Sequence, residues 1–291
     1  MSKSNYIRFD WAIKRLFRQK SNFVVFEGFL SCLLDESMKI NKILESEGNK
    51  STFDDKFNRV DVLVENSKGE LVIVEVQNNR ELDYFHRMLY GVSKVVTEYI
   101  SEGEPYSKVK KIYSINIVYF DLGQGKDYVY HGKTEFRGMH DNDILQLSEM
   151  QKKQFKLPEI SNIFPEYYLL CVNGFDRKAL TPLDEWISFL KTGDIPDNAQ
   201  AQGLPEARER LKRDNMSKTE QQEYDAHLEA LRYQSSVIDT NIKIGIEKGR
   251  EEGKAAEKIE IAKNLLQIGL SVSDIAKGTG LTEKQILEIV K

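Results

Sequence analysis

Cysteine and histidine are scarce in this chain of 291 residues, which contains two cysteines and four histidines. Cys32 and Cys171 each lie inside an apolar run, and neither stands in Cys-x-x-Cys or Cys/His spacing. Thiols in such runs are typical of reduced core residues, and zinc sites need closely spaced ligands. The sequence therefore predicts reduced core thiols and no structural zinc.

Long apolar runs and an excess of positive charge are also missing. No segment approaches about 20 uninterrupted apolar residues, so we expect no membrane partner. The N-terminus has early charges but no apolar segment followed by a cleavage site, which favours a cytoplasmic protein. The formal net charge of −4 argues against extensive non-specific DNA binding. It is compatible with a nuclease site, because acidic metal ligands offset phosphate-binding cations in the count.

Helical and strand patterns alternate along the first part of the chain, which is typical of an α/β fold. Apolar spacing predicts helices over 9–17, 23–34 and 81–101, the last with Phe85, Leu89, Val92 and Val96 on its apolar stripe. Strands are expected within 38–47, over 112–120 and around 128–136. From 141 to about 193 the pattern is helical, and 183–191 forms a clear amphipathic helix.

The segment VDVLVENSKGELVIVEVQ, residues 60–77, predicts two antiparallel strands joined by a tight loop. Its first half alternates between two faces, and its second half is apolar and β-branched, as in a strand buried on both faces. Asn-Ser-Lys-Gly at 66–69 is a turn signal, with Gly69 available for a positive φ.

Acidic residues interrupt this apolar hairpin. Residues two apart in a strand share a face at about 6.6 Å, so Glu75 and Gln77 lie together. Asp61 lies roughly opposite one of them in the antiparallel partner. Buried carboxylates require a partner or a cation, and two of them with nearby carbonyl oxygens suit Mg²⁺ or Mn²⁺. The alternatives are a solvated strand residue for Asp61 and an ion pair with a nearby Arg or Lys for Glu75.

The pattern Asp-x₁₃-Glu-x-Gln on a strand pair resembles the PD-(D/E)XK nuclease superfamily, and more specifically its transposase-like, recombination-promoting nuclease branch. DWAIKRLF at 10–17 resembles the opening helix of that branch, with Ile13 in place of the usual Phe. The segments 53–77 and 86–120 resemble its central hairpin and its following helix and buried strand. The tail at 245–271 is also similar.

The resemblance implies a restriction-endonuclease-like core, with a mixed central sheet flanked by helices, followed by an all-helical C-terminal extension. It also implies that Asp61 and Glu75 ligate Mg²⁺, for which Mn²⁺ can substitute, with the carbonyl of Val76 as a third ligand. Gln77 occupies the place where the superfamily most often has Lys, and a Gln side chain can only hydrogen-bond. Asp10 would be an additional acidic ligand.

Nucleic-acid contacts are expected from Lys14, Arg87 and Tyr90. Lys14 would contact phosphate, although an exposed i,i+4 salt bridge with Asp10 is the alternative. Arg87 and Tyr90 share a face of the predicted helix and would contact phosphate or brace Glu75. A structural cation and a core-edge aromatic residue are the alternative for this pair.

Three regions are predicted: a nuclease-like domain at 1–193, a charged helical linker or oligomerisation segment at 194–264, and a small helix-turn-helix-like tail at 265–291. Gly245, Gly249 and Gly253 line one face of a predicted helix, which favours close helix–helix approach within the chain or in a homo-oligomer; a flexible linker is the alternative. In the tail, Ser271 or Ser273 and then Thr282 are candidate helix caps. Its last helix carries few base-reading side chains.

These observations favour a Mg²⁺-dependent DNA endonuclease that hydrolyses phosphodiester bonds, with Asp61, Glu75 and Gln77 as its catalytic residues. The resemblance adds a bacterial setting of recombination or mobile elements. The alternative is a catalytically weak or inactive DNA-binding or assembly protein that keeps the nuclease fold. Gln77 and the charge balance are the features that favour this alternative.

Overall fold

The computed structural model describes residues 6–15, 20–44 and 61–289. Its strands are β1 Ile40–Leu44, β2 Val62–Asn66, β3 Leu71–Gln77, β4 Ile112–Val118, β5 Val129–Gly132 and β6 Glu166–Cys171. Its α-helices are α1 Phe9–Arg15, α2 Phe23–Leu34, α3 Tyr84–Glu98, α4 Glu149–Phe155, α5 Pro182–Thr192, α6 Leu204–Arg210, α7 Lys218–Gln267, α8 Val272–Thr279 and α9 Glu283–Ile289.

The described strands form one six-stranded mixed sheet in the order β1-β2-β3-β4-β6-β5. Pairing is antiparallel from β1 to β3, parallel from β3 through β4 to β6, and antiparallel again between β6 and β5. Helices flank this sheet, and the long helix α7 follows it. The α/β class and the restriction-endonuclease-like core with a helical extension are therefore confirmed.

The hairpin between β2 and β3 forms for local reasons. Gly69 has a φ of 80° in the turn, a conformation that costs little without a Cβ. The side-chain oxygen of Asn66 accepts hydrogen bonds from the backbone N–H groups of Lys68 and Glu70, at 3.0 and 2.9 Å. All residues of β2 are buried, as are the first four of β3. The predicted hairpin is confirmed over its described residues.

Helix α3 packs on the sheet through a face that differs from the predicted stripe. Its buried residues are Tyr84, Met88, Val92 and Val95. Phe85 and Leu89, which the sequence placed on the core side, are 50% and 60% exposed. The apolar residues of this helix cover more than one face, and the Tyr84 ring, edge-on to Phe120 at 5.8 Å, lies on the face that packs. Periodicity alone does not choose between such faces.

Strand β6 corrects the prediction of a helical pattern from 141 to 193. It pairs with β4 on one side and β5 on the other, so it is an inner strand of the sheet. Its sequence EYYLLC is short and nearly all apolar, a pattern that a buried strand and a buried helical turn share. The amphipathic helix predicted at 183–191 is present as α5.

The chain divides into two compact units, residues 1–224 and 225–291. The first unit extends beyond 193, where the sequence placed its first boundary, because α6 contributes buried residues to the same core. Gly28 of α2 meets the chain before α6 so closely that a Cβ there would lie 2.3 Å from the Gln202 carbonyl oxygen. The division into three regions stays a prediction.

The second unit contains most of α7 followed by α8 and α9. Ala262, Ile275 and Ile286 form its buried cluster. Ser271 caps α8 by accepting a hydrogen bond from the Asp274 N–H, and Gly280 ends this helix with a φ of 71°. The predicted pair of short helices is confirmed. No helix within the described ranges is long and apolar enough to cross a membrane.

Candidate active site

The β2–β3 hairpin brings Asp61 against the end of β3. The pairing of Val62 with Val74 places Asp61, the residue just before β2, level with Glu75. The Asp61 carboxylate accepts a hydrogen bond from the backbone N–H of Val76, with an oxygen–nitrogen distance of 2.8 Å. This hydrogen bond holds the Asp61 carboxylate beside β3, the strand that carries Glu75.

Glu75 is a mostly buried acid, with 12% of its side chain exposed. The Nη2 atom of Arg87, which lies on α3, is 3.6 Å from Oε2 of Glu75. Removing a carboxylate from water costs several kcal/mol unless a partner compensates, and Arg87 provides that compensation here. The ion pair that the sequence left open as an alternative for Glu75 is thus present, and it lies beside Asp61.

Gln77 and Arg87 meet at Glu81, in the turn between β3 and α3. The Gln77 Nε2 donates to Glu81 Oε1 at 2.6 Å. Arg87 donates from Nη1 to both Glu81 oxygens, at 2.9 and 3.2 Å. Sequence analysis missed Glu81, because its approach to Gln77 depends on the path of the intervening turn.

The charges around Arg87 keep it cationic. Burial by itself lowers the pKa of Arg87, but the charges of Glu75 and Glu81 together outweigh this effect, and the pKa is raised. The site therefore has a permanent positive charge on α3 facing acids from β3 and from the turn that follows.

A buried polar pair, formed by Asn116 on the neighbouring strand and Tyr84 on α3, lies beside Glu75. Asn116 of β4 is the register partner of Glu75 in the parallel β3–β4 pair. Tyr84 donates a hydrogen bond from its hydroxyl to Asn116 Oδ1 at 3.2 Å. Burial, followed by the charge of Glu75, raises the pKa of Tyr84, so this phenol stays protonated and donates. The signal that could have found Asn116 is the alternation of Ser114 and Asn116 within an otherwise apolar strand.

Asp10 lies next to the site within a separate polar network. It is 1% exposed and pairs with Arg8 at 3.0 Å. Asn78, which directly follows Gln77, donates to the second Asp10 oxygen at 3.2 Å. Burial lowers the pKa of Arg8, but the charge and hydrogen bond of Asp10, with the neighbouring tyrosines, outweigh it, and the pKa is raised. This network ties α1 to the end of β3.

The three predicted nucleic-acid contacts have different outcomes. The structure brings the Arg87 guanidinium to 3.6 Å from the carboxylate of Glu75. Tyr90 is 44% exposed on the same helix. The side chain of Lys14 lies outside the described part of the structure, so its phosphate contact and its salt bridge with Asp10 both stay predictions. Contact of all three with DNA stays a prediction.

The donor atoms at the hairpin suit a hard divalent cation. Asp61 and Glu75 offer carboxylate oxygens beside the peptide group of Val76, and Mg²⁺ is commonly held by one or two carboxylates with water completing its shell. Over the described part of the chain, no group of three or more His, Cys, Asp or Glu side chains is placed to hold a metal ion. The metal role of Asp10 thus stays a prediction. Asp61 and Glu75 are the two carboxylates whose chemistry fits a divalent cation.

Comparison with known proteins identifies a family for this chain. The family model described as PD-(D/E)XK nuclease family transposase matches residues 7–241, from just before α1 into α7. No curated protein and no solved structure matched the chain. Because the matched segment includes the hairpin, α3 and the whole sheet, the chain belongs to the PD-(D/E)XK nuclease family transposases.

Proposed function

We propose that this protein is a metal-dependent DNA endonuclease that hydrolyses phosphodiester bonds in a setting of recombination or mobile elements. The observation that carries the proposal is the position of Asp61, level with Glu75 and bonded to the Val76 N–H at 2.8 Å. Family membership supports nuclease chemistry. The preference for DNA, the bacterial setting and the cytoplasmic location are further parts of the proposal.

Asp61 and Glu75 are the proposed ligands of Mg²⁺, with Mn²⁺ as a substitute. A bound divalent cation would supply positive charge against the phosphate and a more acidic water molecule. Asp61 is suited to this role because its hydrogen bond from the Val76 N–H fixes the orientation of its carboxylate in the absence of an ion. Glu75 is suited to it because its exposed fraction of 12% keeps solvent competition low.

Gln77 and Arg87 are the proposed partners of the water and of the phosphate. Gln77 carries no charge, so its contribution is a hydrogen bond that orients the attacking water. Arg87 offers a planar fork of donors that suits phosphate oxygens. We further propose that Lys14 and Tyr90 contact the DNA backbone outside this centre.

Plasmid cleavage tests the proposal. Wild-type protein and the variants Asp61→Ala and Glu75→Ala are incubated with supercoiled DNA and Mg²⁺ or Mn²⁺. We expect the wild type to nick the plasmid and each variant to lose activity on the order of 100-fold or more. Asp141→Ala, in the loop beyond the edge strand β5, is the matched control and keeps full activity. Equal cleavage by wild type and Asp61→Ala would exclude the assigned site.

An inactive DNA-binding protein is the second candidate, because Gln77 replaces the lysine most often found at its position. Calorimetric titration with Mn²⁺ separates the two candidates. The nuclease proposal expects wild-type binding at millimolar metal and its loss in Asp61→Ala. Absence of binding by the wild type, together with DNA binding in a shift assay, would favour the inactive protein.

We also propose that α7 mediates homo-oligomer formation. Gly245, Gly249 and Gly253 lie within this helix, and apart from the neighbouring backbone of the helix itself, a Cβ added at any of them would meet no described atom within 4 Å. Ile242 and Ile246 are 52% and 66% exposed on the same segment. Light scattering of the full chain and of Gly249→Glu tests this. A monomeric mass for the full chain at micromolar concentration would reject it.

A further inference from the structure

We infer that Glu81 is a positioning residue that orients the amide of Gln77 and the guanidinium of Arg87 in the site. The inference rests on the proposed function and extends it to a residue outside the Asp-x₁₃-Glu-x-Gln pattern. Glu81 lies in the turn between β3 and α3, with 29% of its side chain exposed. Its carboxylate contacts both Gln77 and Arg87.

The contact with Glu81 determines which end of the Gln77 amide faces the site. An ionised carboxylate only accepts hydrogen bonds, so the amide group 2.6 Å from Glu81 is the NH₂. The amide is planar, and its carbonyl oxygen points to the other side of the group. Among the described residues, no donor reaches this oxygen. Gln77 therefore presents an acceptor to a water molecule, whereas lysine would present donors.

Glu81 also holds the cation of the site. Its two oxygens receive Nη1 of Arg87 at 2.9 and 3.2 Å, and Nη2 of the same guanidinium reaches Glu75 at 3.6 Å. The guanidinium is thus held between two acids from different segments. Arg87 supplies positive charge beside Glu75, and Gln77 supplies an acceptor beside it.

This arrangement makes position 77 depend on position 81. A lysine at 77 would bring its ammonium group to the Glu81 carboxylate and form an ion pair with it. The lysine that is most common in the superfamily would then be directed away from the water. Glu81 and Gln77 therefore act as a matched pair, and a change at one alters what the other can do.

The first test measures steady-state cleavage of a short DNA duplex with Mn²⁺. We expect Glu81→Ala to lower kcat on the order of tenfold while KM changes less than about twofold, because a misplaced group affects the reacting geometry rather than substrate binding. Glu81→Gln should restore part of kcat, since its amide oxygen can accept from Gln77. Glu98→Ala, at the other end of α3, is the control. A kcat for Glu81→Ala equal to that of the wild type overturns the inference.

A pair of substitutions tests the dependence of position 77 on position 81. Gln77→Lys alone should be slower than the wild type. Gln77→Lys combined with Glu81→Gln should be faster than Gln77→Lys alone, because the ammonium group is no longer neutralised. Equal rates for the single and double variants contradict the matched pair.

A spectroscopic measurement decides the inference even without turnover. The side-chain NH₂ resonances of Gln77 are identified in ¹H–¹⁵N spectra by their loss in Gln77→Glu. Glu81→Ala should move the bonded proton upfield, while Glu98→Ala leaves it unchanged. An unmoved resonance overturns the inference even if plasmid is cleaved. A moved resonance in a protein that cleaves nothing upholds the positioning role and rejects the nuclease proposal.

Discussion

Arg87 supplies positive charge to the acidic strand pair from a helix. In the superfamily that charge most often comes from a lysine on the same strand as the glutamate, at the position that Gln77 occupies here. A guanidinium is weakly hydrated and forms several directed hydrogen bonds at once, so it can pair with Glu75 and Glu81 together. The neutral side chain of Gln77 and the positive charge of Arg87 are thus best considered together, because Arg87 provides the charge that Gln77 lacks.

Glu166 provides a pH-dependent contribution to stability at the other side of β4. Its oxygens receive Lys111 Nζ and approach His131 Nε2, each at 2.7 Å. Burial raises the pKa of Glu166, but the hydrogen bonds and charges of Lys111 and His131 outweigh it, so the pKa is lowered. A lowered folded-state pKa means that the stabilisation is present above the unfolded-state pKa and is lost as pH falls through the folded-state value.

We expect Glu166→Gln to lower the free energy of unfolding by roughly 3 kcal/mol at neutral pH, because Lys111 is 7% exposed and loses its counter-charge. Below the ordinary glutamate pKa of about 4.3, the difference from the wild type should shrink. Urea unfolding at several pH values measures it. Glu149→Gln, whose ion pair with Lys152 is exposed, is the control. A difference that does not change with pH would contradict the assignment.

Local pattern could predict Asp61, Glu75 and Gln77, and it could not predict Glu81 and Asn116. The first three stand out because acids and amides are costly in an apolar hairpin and the register follows from a short turn. Glu81 and Asn116 reach the site through an irregular turn and through the parallel pairing of β3 with β4. That pairing joins two strands that are separated in sequence by α3, so residues near either strand do not encode it.

Strand β6 completes the sheet and is the element that sequence reasoning missed. Leu170 is fully buried on it, between β4 and β5. The boundaries of α2 and of the hairpin strands were predictable because the apolar runs there are nearly continuous and a clear turn signal joins the two strands. Over 141–193, a loop-rich segment with short helices surrounds a six-residue apolar run, and burial by distant segments decides its conformation.

Substitution of one leucine tests the inner position of β6. Leu170→Ala should cost roughly 3 kcal/mol of unfolding free energy, because it leaves a cavity in a fully buried layer. Leu180→Ala, at a position that is 82% exposed, should change it by less than about 0.5 kcal/mol. Chemical denaturation of the two variants gives the comparison. Similar values for both would mean that the segment at 166–171 is not an inner strand.

The first unit, which ends at Tyr224, is held together by contacts between distant parts of the chain. The backbone N–H of Arg8 donates to the hydroxyl of Tyr224 at 3.0 Å, and the Tyr224 ring lies edge-on to Trp11 at 5.5 Å. Leu204 and Ala207 of α6 are fully buried. The polar segment after 193 leads into α6, which contributes buried residues to this unit, and the boundary predicted at 193 stays a prediction.

Truncation compares the two boundaries. A chain ending at Ala230 should unfold cooperatively with a Tm within a few degrees of the full chain, because unit 1 keeps its buried residues. A chain ending at Gly193 should lose α6 and Tyr224 and show a much lower Tm or no cooperative transition. Thermal unfolding followed by circular dichroism measures both. Equal stability of the two shortened chains would favour the boundary at 193.

The bond between Arg8 and Tyr224 has a consequence for synthesis of the protein on the ribosome. The chain emerges from its N-terminus, so α1 and the acidic hairpin leave the exit tunnel long before Tyr224 does. The backbone N–H of Arg8 therefore cannot reach the Tyr224 hydroxyl until almost the whole first unit has been translated. A nascent chain thus lacks this contact through most of its elongation, and translation that stops before Tyr224 releases a product whose N-terminal segment is without it.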